Sequence, residues 1–148
     1  MADMTVTLGA RVPGADPDAV FARLRDFPGY TRHTDVVKDV VITEERDGVQ
    51  LSDWSVYFRT GLLRWTERDV IDTAARTIVF SQVHGDFAVL EGGWAVLADP
   101  VTVRFRTRFD IGIPSLAAML NPVAARALTA NTTAILRGLF GDGIEITP

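Results

Sequence analysis

Apolar and polar side chains alternate along Thr5-Val-Thr-Leu-Gly-Ala-Arg-Val12, the pattern of a half-buried strand, and the run ends at Pro13-Gly14. Asp16-Pro17-Asp18 then supplies a helix cap, a proline suited to a first turn and an early acidic residue. This predicts a helix over 17–26, with Val20, Phe21, Leu24 and Phe27 on one face and Pro28-Gly29 as its stop. From Val36 to Ile111 the period becomes two, predicting strands over 36–45, 49–59, 62–71, 77–84, 87–97 and 101–111. Asp47-Gly48, Thr60-Gly61, Asp72-Thr-Ala-Ala, Gly85-Asp86 and Asp99-Pro100 separate them, connections short enough to demand an antiparallel meander.

Beyond Ile113-Pro114 the helical period returns, first over 115–120 and then, with Asn121 as cap and Pro122 at the first position, over 122–140. Ala124, Leu128, Ile135 and Leu139 form one stripe of the long helix, Arg126 and Arg137 lie opposite, and Asn131 and Thr132 sit on the stripe's edges. The expected fold is α+β: a curved antiparallel sheet of about seven strands wrapped around a long C-terminal helix, in one domain spanning 1–148.

Strand parity sorts the chemistry-bearing residues by face. Trp54 goes inward with Ser52, Val56 and Phe58; Trp94 with Leu90, Gly92 and Val96; Phe105 with Val103, Thr107, Phe109 and Ile111. Arg104, Arg106 and Arg108 go outward, as a solvated face or a docking stripe for an acidic partner. The strand over 62–71 stands apart, because Leu63, Trp65, Glu67, Asp69 and Ile71 share a face. If Trp65 is inward, two carboxyls follow it, at a cost of several kcal/mol each in a dry core unless they are paired or neutralised. A hollow, partly wet interior tolerates them; a twist, a bulge or arginine partners are the alternatives. Three tryptophans on a sheet closed by one helix call for a cavity of several hundred Å³ lined by Trp54, Trp65 and Trp94. Asn131 is either satisfied by a sheet backbone group or aimed at a ligand. Tyr30 and His33, after the first helix, are exposed loop residues or gate a mouth.

The 148 residues are 47% apolar and 23% charged, enough for a core without disulfides, and there are no cysteines, which excludes zinc ribbons and thiol chemistry. A net charge of −4 lacks the basic patch of a nucleic-acid binder. No basic region leads an apolar run at the start and no apolar stretch is long enough to span a membrane, so the expected location is the cytoplasm. Phosphate-loop, dinucleotide and nucleophile-elbow signatures are missing, and His33 and His84 alone make a poor metal set, so neither cofactor nor metal is expected.

The run Gly85-Asp86-Phe87-x-x-x-x-Gly92-Gly93-Trp94, the strand end Phe109-Asp110-Ile111-Gly112-Ile113-Pro114 and the helix carrying Ala130-Asn131 resemble the START/Bet v 1-like (SRPBCC) superfamily, and within it the polyketide cyclase/dehydrase (aromatase/cyclase) group, over about residues 5–140. The resemblance implies a helix-grip fold with a deep hydrophobic pocket between sheet and helix. It implies cofactor-independent aldol closure and dehydration of a poly-β-ketone tethered to an acyl carrier protein. Trp65, Phe87, Leu90, Trp94, Phe105, Thr107 and Asn131 match pocket-lining positions, and Trp54, Leu128 and Tyr30 join them as ligand-binding candidates. Where some members place an inward arginine four residues after the strand tryptophan this chain has Asp69, and where some place a tyrosine it has Val37. The expected chemistry therefore falls to Asp69 as base or acid, Glu67 as its partner and Asn131 as donor to an enolate or alkoxide oxygen. The alternative from another class is a carrier for a hydrophobic aromatic or prenylated molecule, since one fold serves both.

Overall fold

A computed structural model describes residues 3–58, 61–112 and 117–148, with residues 117 and 118 as backbone only. The chain runs β1 (Met4–Arg11), α1 (Pro17–Arg25), a 3-10 turn (Phe27–Arg32), β2 (Val37–Arg46), β3 (Val49–Phe58), β4 (Gly61–Asp72), β5 (Thr77–Gly85), β6 (Val89–Leu97), β7 (Thr102–Asp110), α2 (Ala117–Phe140) and β8 (Glu145–Thr147). The strands form one antiparallel sheet in the order β2-β3-β4-β5-β6-β7-β1-β8. This is the expected meander, with β1 carried round to the far side of β7.

Local chemistry accounts for most boundaries. Asp16 accepts a hydrogen bond from the Ala19 N–H at 3.0 Å and starts α1, which buries Val20, Phe21 and Leu24. Asp47 and Gly48, at φ of 54° and 79°, make the left-handed pair that turns β2 into β3 with the strands' own twist. Helix α2 buries Ala124, Thr132, Ile135, Leu136 and Leu139 while Leu128 is half-buried; it packs on β1 and touches β3, α1 and the 3-10 turn. Close approach to the chain after that turn requires Gly138, because a Cβ there would lie 2.1 Å from the His33 carbonyl oxygen.

Three expectations are corrected. Pro28-Gly29 does not release the chain into a loop: a 3-10 turn follows, compatible with proline's fixed φ, and it buries Phe27 and Tyr30. Asn121 is not a helix cap, and no break precedes Pro122. Its amide is engaged at the end of β7, accepting from the Ile111 N–H at 3.1 Å and donating to Asp110 Oδ1 at 3.2 Å, while α2 runs through. Pro122, the sixth residue of α2, lies past the first turn and removes one N–H bond from inside the helix. Finally, the three residues of β8 add a strand on Gly9–Arg11 that is too short to carry a periodic signal. The expected short helix over 115–120 begins outside the described residues.

Candidate functional site

The inner face of β3 and β4 is built by register. Trp54 opposes Trp65, Ser52 opposes Glu67 and Gln50 opposes Asp69. The pairing of β4 with β5 shifts between Thr66 and Glu67, where β5 inserts Val83. The bulge lies on β5, so β4 keeps its alternation and Trp65, Glu67 and Asp69 stay on one face. Gly85 lets β5 close onto Trp65, since a Cβ there would sit 2.5 Å from the Trp65 Cα. Glu67 is 4% and Asp69 0% exposed.

Neutral groups receive these carboxyls. Ser52 Oγ donates to Asp69 Oδ2 at 2.6 Å, Gln50 Nε2 donates to the same oxygen at 3.1 Å, and Trp54 Nε1 donates to Ser52 Oγ at 2.9 Å. Trp65 Nε1 donates to Glu67 Oε1 at 2.8 Å. The two indoles stack at 5.8 Å between ring centroids with planes 4° apart, so one aromatic stack feeds both arms of the pair. Among the described residues no salt bridge reaches either carboxyl, and Asp69 Oδ1 is buried without a fixed donor.

Burial pushes the Glu67 carboxyl well above the usual range, its hydrogen bond to Asp69 and the Asp69 charge push it further, and the Trp65 N–H opposes them. Each of the two largest causes disfavours the Glu67 carboxylate, so the site favours the protonated acid there. Tyr30 is raised too, by burial first and then by the charges of Glu67, Asp69 and Asp26; its hydroxyl stays neutral and donates to the Leu24 carbonyl at 2.5 Å. A protonated acid next to a carboxylate in apolar surroundings can give one proton and take another.

Residues 13–136 match the family described as polyketide cyclase/dehydrase and lipid transport. The chain belongs to this family. Its fold is the helix grip of START/Bet v 1-like proteins. Protein TTHA0849 from Thermus thermophilus is similar at 22% identity and a TM-score of 0.84, over 92% of this chain and 94% of that one. The ZhuI aromatase/cyclase from Streptomyces sp. R1128 is similar at 26% identity and a TM-score of 0.71, over 90% and 89%. A START superfamily protein from Mycobacterium smegmatis shares 12% identity with a TM-score of 0.67, over 94% of each chain. A search of curated protein sequences gives no match.

Within this family member the three tryptophans divide between two aromatic groups rather than meeting around one cavity. Tyr30 contacts Trp54 at 5.8 Å, Trp65 contacts Phe87 at 5.7 Å and Phe87 contacts Phe109 at 6.3 Å, a file of rings past the carboxyls. Trp94 packs on Phe105 at 4.5 Å, and Phe105 on Phe80 at 6.1 Å, because β5 separates Trp94 from β4. Tyr30, expected in an exposed loop, is 0% exposed, because the 3-10 turn points it inward; His33 is exposed. Leu90 is buried, and the buried Thr107 hydroxyl donates to the Glu91 carbonyl at 3.0 Å. Asn131 Nδ2 donates to the Tyr57 carbonyl at 2.8 Å, tying α2 to the end of β3.

Gln50 and Ser52 went unnoticed as site residues. Parity alone puts Gln50 and Ser52 on the face of Trp54, but a turn centred on Thr60-Gly61 would set Ser52 opposite Asp69; the pairing of Phe58 with Gly61 is what brings Gln50 opposite Asp69 and Ser52 opposite Glu67. Among the described residues no group of three or more His, Cys, Asp or Glu gathers as a metal site, and no helix is long and apolar enough to cross a membrane.

Proposed function

We propose that this chain is an acid–base cyclase acting on a poly-β-ketone or related aromatic precursor, presented by an acyl carrier protein. The observation that carries the reading is the buried Glu67–Asp69 pair, in which burial favours the protonated Glu67 and which has no cationic partner among the described residues. Aldol closure removes a proton from carbon flanked by two carbonyls and adds one to the carbonyl oxygen under attack. Asp69 takes the first through Oδ1, the oxygen without a fixed donor, and Glu67 gives the second. The pair begins and ends the step with one proton. Trp54 and Trp65 fix the two carboxyls and offer flat apolar surface to the substrate, and Asn131 holds α2 against β3 at the rim of the inner face.

Glu67→Gln tests this. Gln keeps an acceptor for Trp65 and a donor toward Asp69 and removes the transferable proton. Ring closure of a thioester-linked poly-β-ketone, followed by absorbance, is expected to fall about 100-fold with binding retained. Unchanged closure would overturn the reading. The second reading, a carrier for a hydrophobic aromatic ligand, is favoured by Asp69 being fully enclosed with two donors on Oδ2. Wild-type protein that binds the ketone tightly and never converts it would establish that role.

A further inference from the structure

The outer face of β5, β6, β7 and β1 carries three cross-strand rows. Ser81, Glu91, Arg108 and Thr5 make one; Val79, Gly93, Arg106 and Thr7 the next; Thr77, Ala95, Arg104 and Gly9 the third. Register neutralises the first row: Arg108 Nη2 and Nε bond Glu91 Oε1 at 2.6 and 2.9 Å, and Nη1 bonds Asp3. In the other two rows no carboxylate stands in register. Arg104 and Arg106 are exposed, and among the described residues no salt bridge includes either.

These two arginines flank the shortest side chains of the face, Gly9, Gly93 and Ala95. The surface is recessed there into a concavity of about 980 Å³, lined also by Thr77, Val79 and Pro148, with the paired Glu91 and Arg108 in its wall. Its volume is at the upper end of small-molecule sites, and it is open to solvent. Arginines two residues apart on one strand face have their Cα atoms about 7 Å apart, so their long side chains can bring both guanidiniums onto a single oxyanion group. Val79, 56% exposed beside Gly93, adds apolar contact.

We infer that this groove binds a small amphipathic oxyanion, a carboxylate or phosphate joined to a flat apolar body, with Arg104 and Arg106 on the anionic head and Gly93, Ala95 and Val79 under the body. The site lies on the opposite face of the sheet from Glu67 and Asp69 and stands whether or not the inner pair is catalytic. Calorimetric titration of the full chain with 2-naphthoate and with naphthyl phosphate tests it, and the tighter of the two identifies the head group. Saturable one-to-one binding that weakens with salt is expected. Arg104→Ala/Arg106→Ala should weaken it about tenfold or more, while Arg46→Ala, at the far edge of the sheet on β2 and outside the groove, should change it by less than about twofold. All three positions are on the surface, and circular dichroism verifies that the variants fold. Binding that survives the double variant would place the ligand elsewhere and overturn the inference. So would failure of both naphthyl compounds to saturate, and if polyglutamate then bound in their stead the face would be reassigned to docking an acidic protein.

Discussion

Two pairs of carboxyl groups, Glu67 with Asp69 and Glu91 with Asp3, sit on opposite faces of this sheet and are accommodated in opposite ways. On the inner face Glu67 and Asp69 are enclosed by indoles, a serine and a glutamine, and burial and the Asp69 charge both favour the protonated form of Glu67. On the outer face Glu91 and Asp3 are offset by Arg108, in partial contact with water. Buried, a carboxyl is worth what its immediate partners make it worth; exposed, it is one of several charges that water can replace. Substitutions on the inner face should therefore act strongly and with pH, and those on the outer face weakly and with salt.

The largest effect is expected from Asp69→Ala. It strands the Gln50 and Ser52 donors without an acceptor and leaves Glu67 without its proton acceptor, which together should cost about 3 kcal/mol or more. Urea unfolding checks this, provided the slope with denaturant is unchanged. A loss below about 1 kcal/mol would mean that the inner cluster is no more demanding than a surface one.

Next comes the pH dependence. The Glu67 carboxyl is raised in the folded state, so the folded protein binds more protons than the unfolded one once pH exceeds the unfolded value of about 4.3. Stability should fall as pH rises from there through the raised folded value, by about 1.4 kcal/mol for each unit of displacement. Glu67→Gln cannot ionise and should lack that decline, so its melting temperature should overtake the wild type's as pH climbs. Parallel profiles would show that Glu67 carries no bound proton. Tyr30→Phe is expected to be smaller: it removes the hydroxyl that serves the buried Leu24 carbonyl, for about 1–2 kcal/mol in equilibrium unfolding at neutral pH, where the phenol is uncharged.

The inner cluster was half legible in the sequence. The shared face of Trp65, Glu67 and Asp69 followed from parity alone and survives because the bulge fell on β5 at Val83 instead of on β4. The turns at Asp47-Gly48 and Gly85-Asp86 set strand ends because glycine and aspartate have few other uses there. What the pattern did not yield depends on partners distant in sequence. Asn121 and Pro122 carry a helix-start signature, yet the Asn121 amide serves Asp110 and Ile111. Tyr30 follows Pro28-Gly29 like a loop residue, yet Trp54 and Phe27 give its ring somewhere to pack. Trp94 looked like a companion of Trp54 and Trp65 on one inner face, and only the strand order puts β5 between them.

The smallest effect is expected from Arg108→Ala. Glu91 and Arg108 are directly opposed in register, and two guanidinium nitrogens reach one Glu91 oxygen, so the geometry is good. The side chains are nevertheless 44% and 50% exposed, and water can solvate both ends once they part. Losing the arginine also leaves Glu91 and Asp3 facing Arg106, one row away and without a carboxylate of its own, so part of the attraction is recovered. Melting the wild type and the variant at low and at high salt separates these terms. A slight loss at low salt that disappears at high salt is the expected outcome, because screening acts on exposed charges and leaves hydrogen bonds in the core untouched. A large loss that persists in salt would place the outer cluster on the same footing as Glu67 and Asp69, and the contrast between the two faces would then have to come from packing instead of from water.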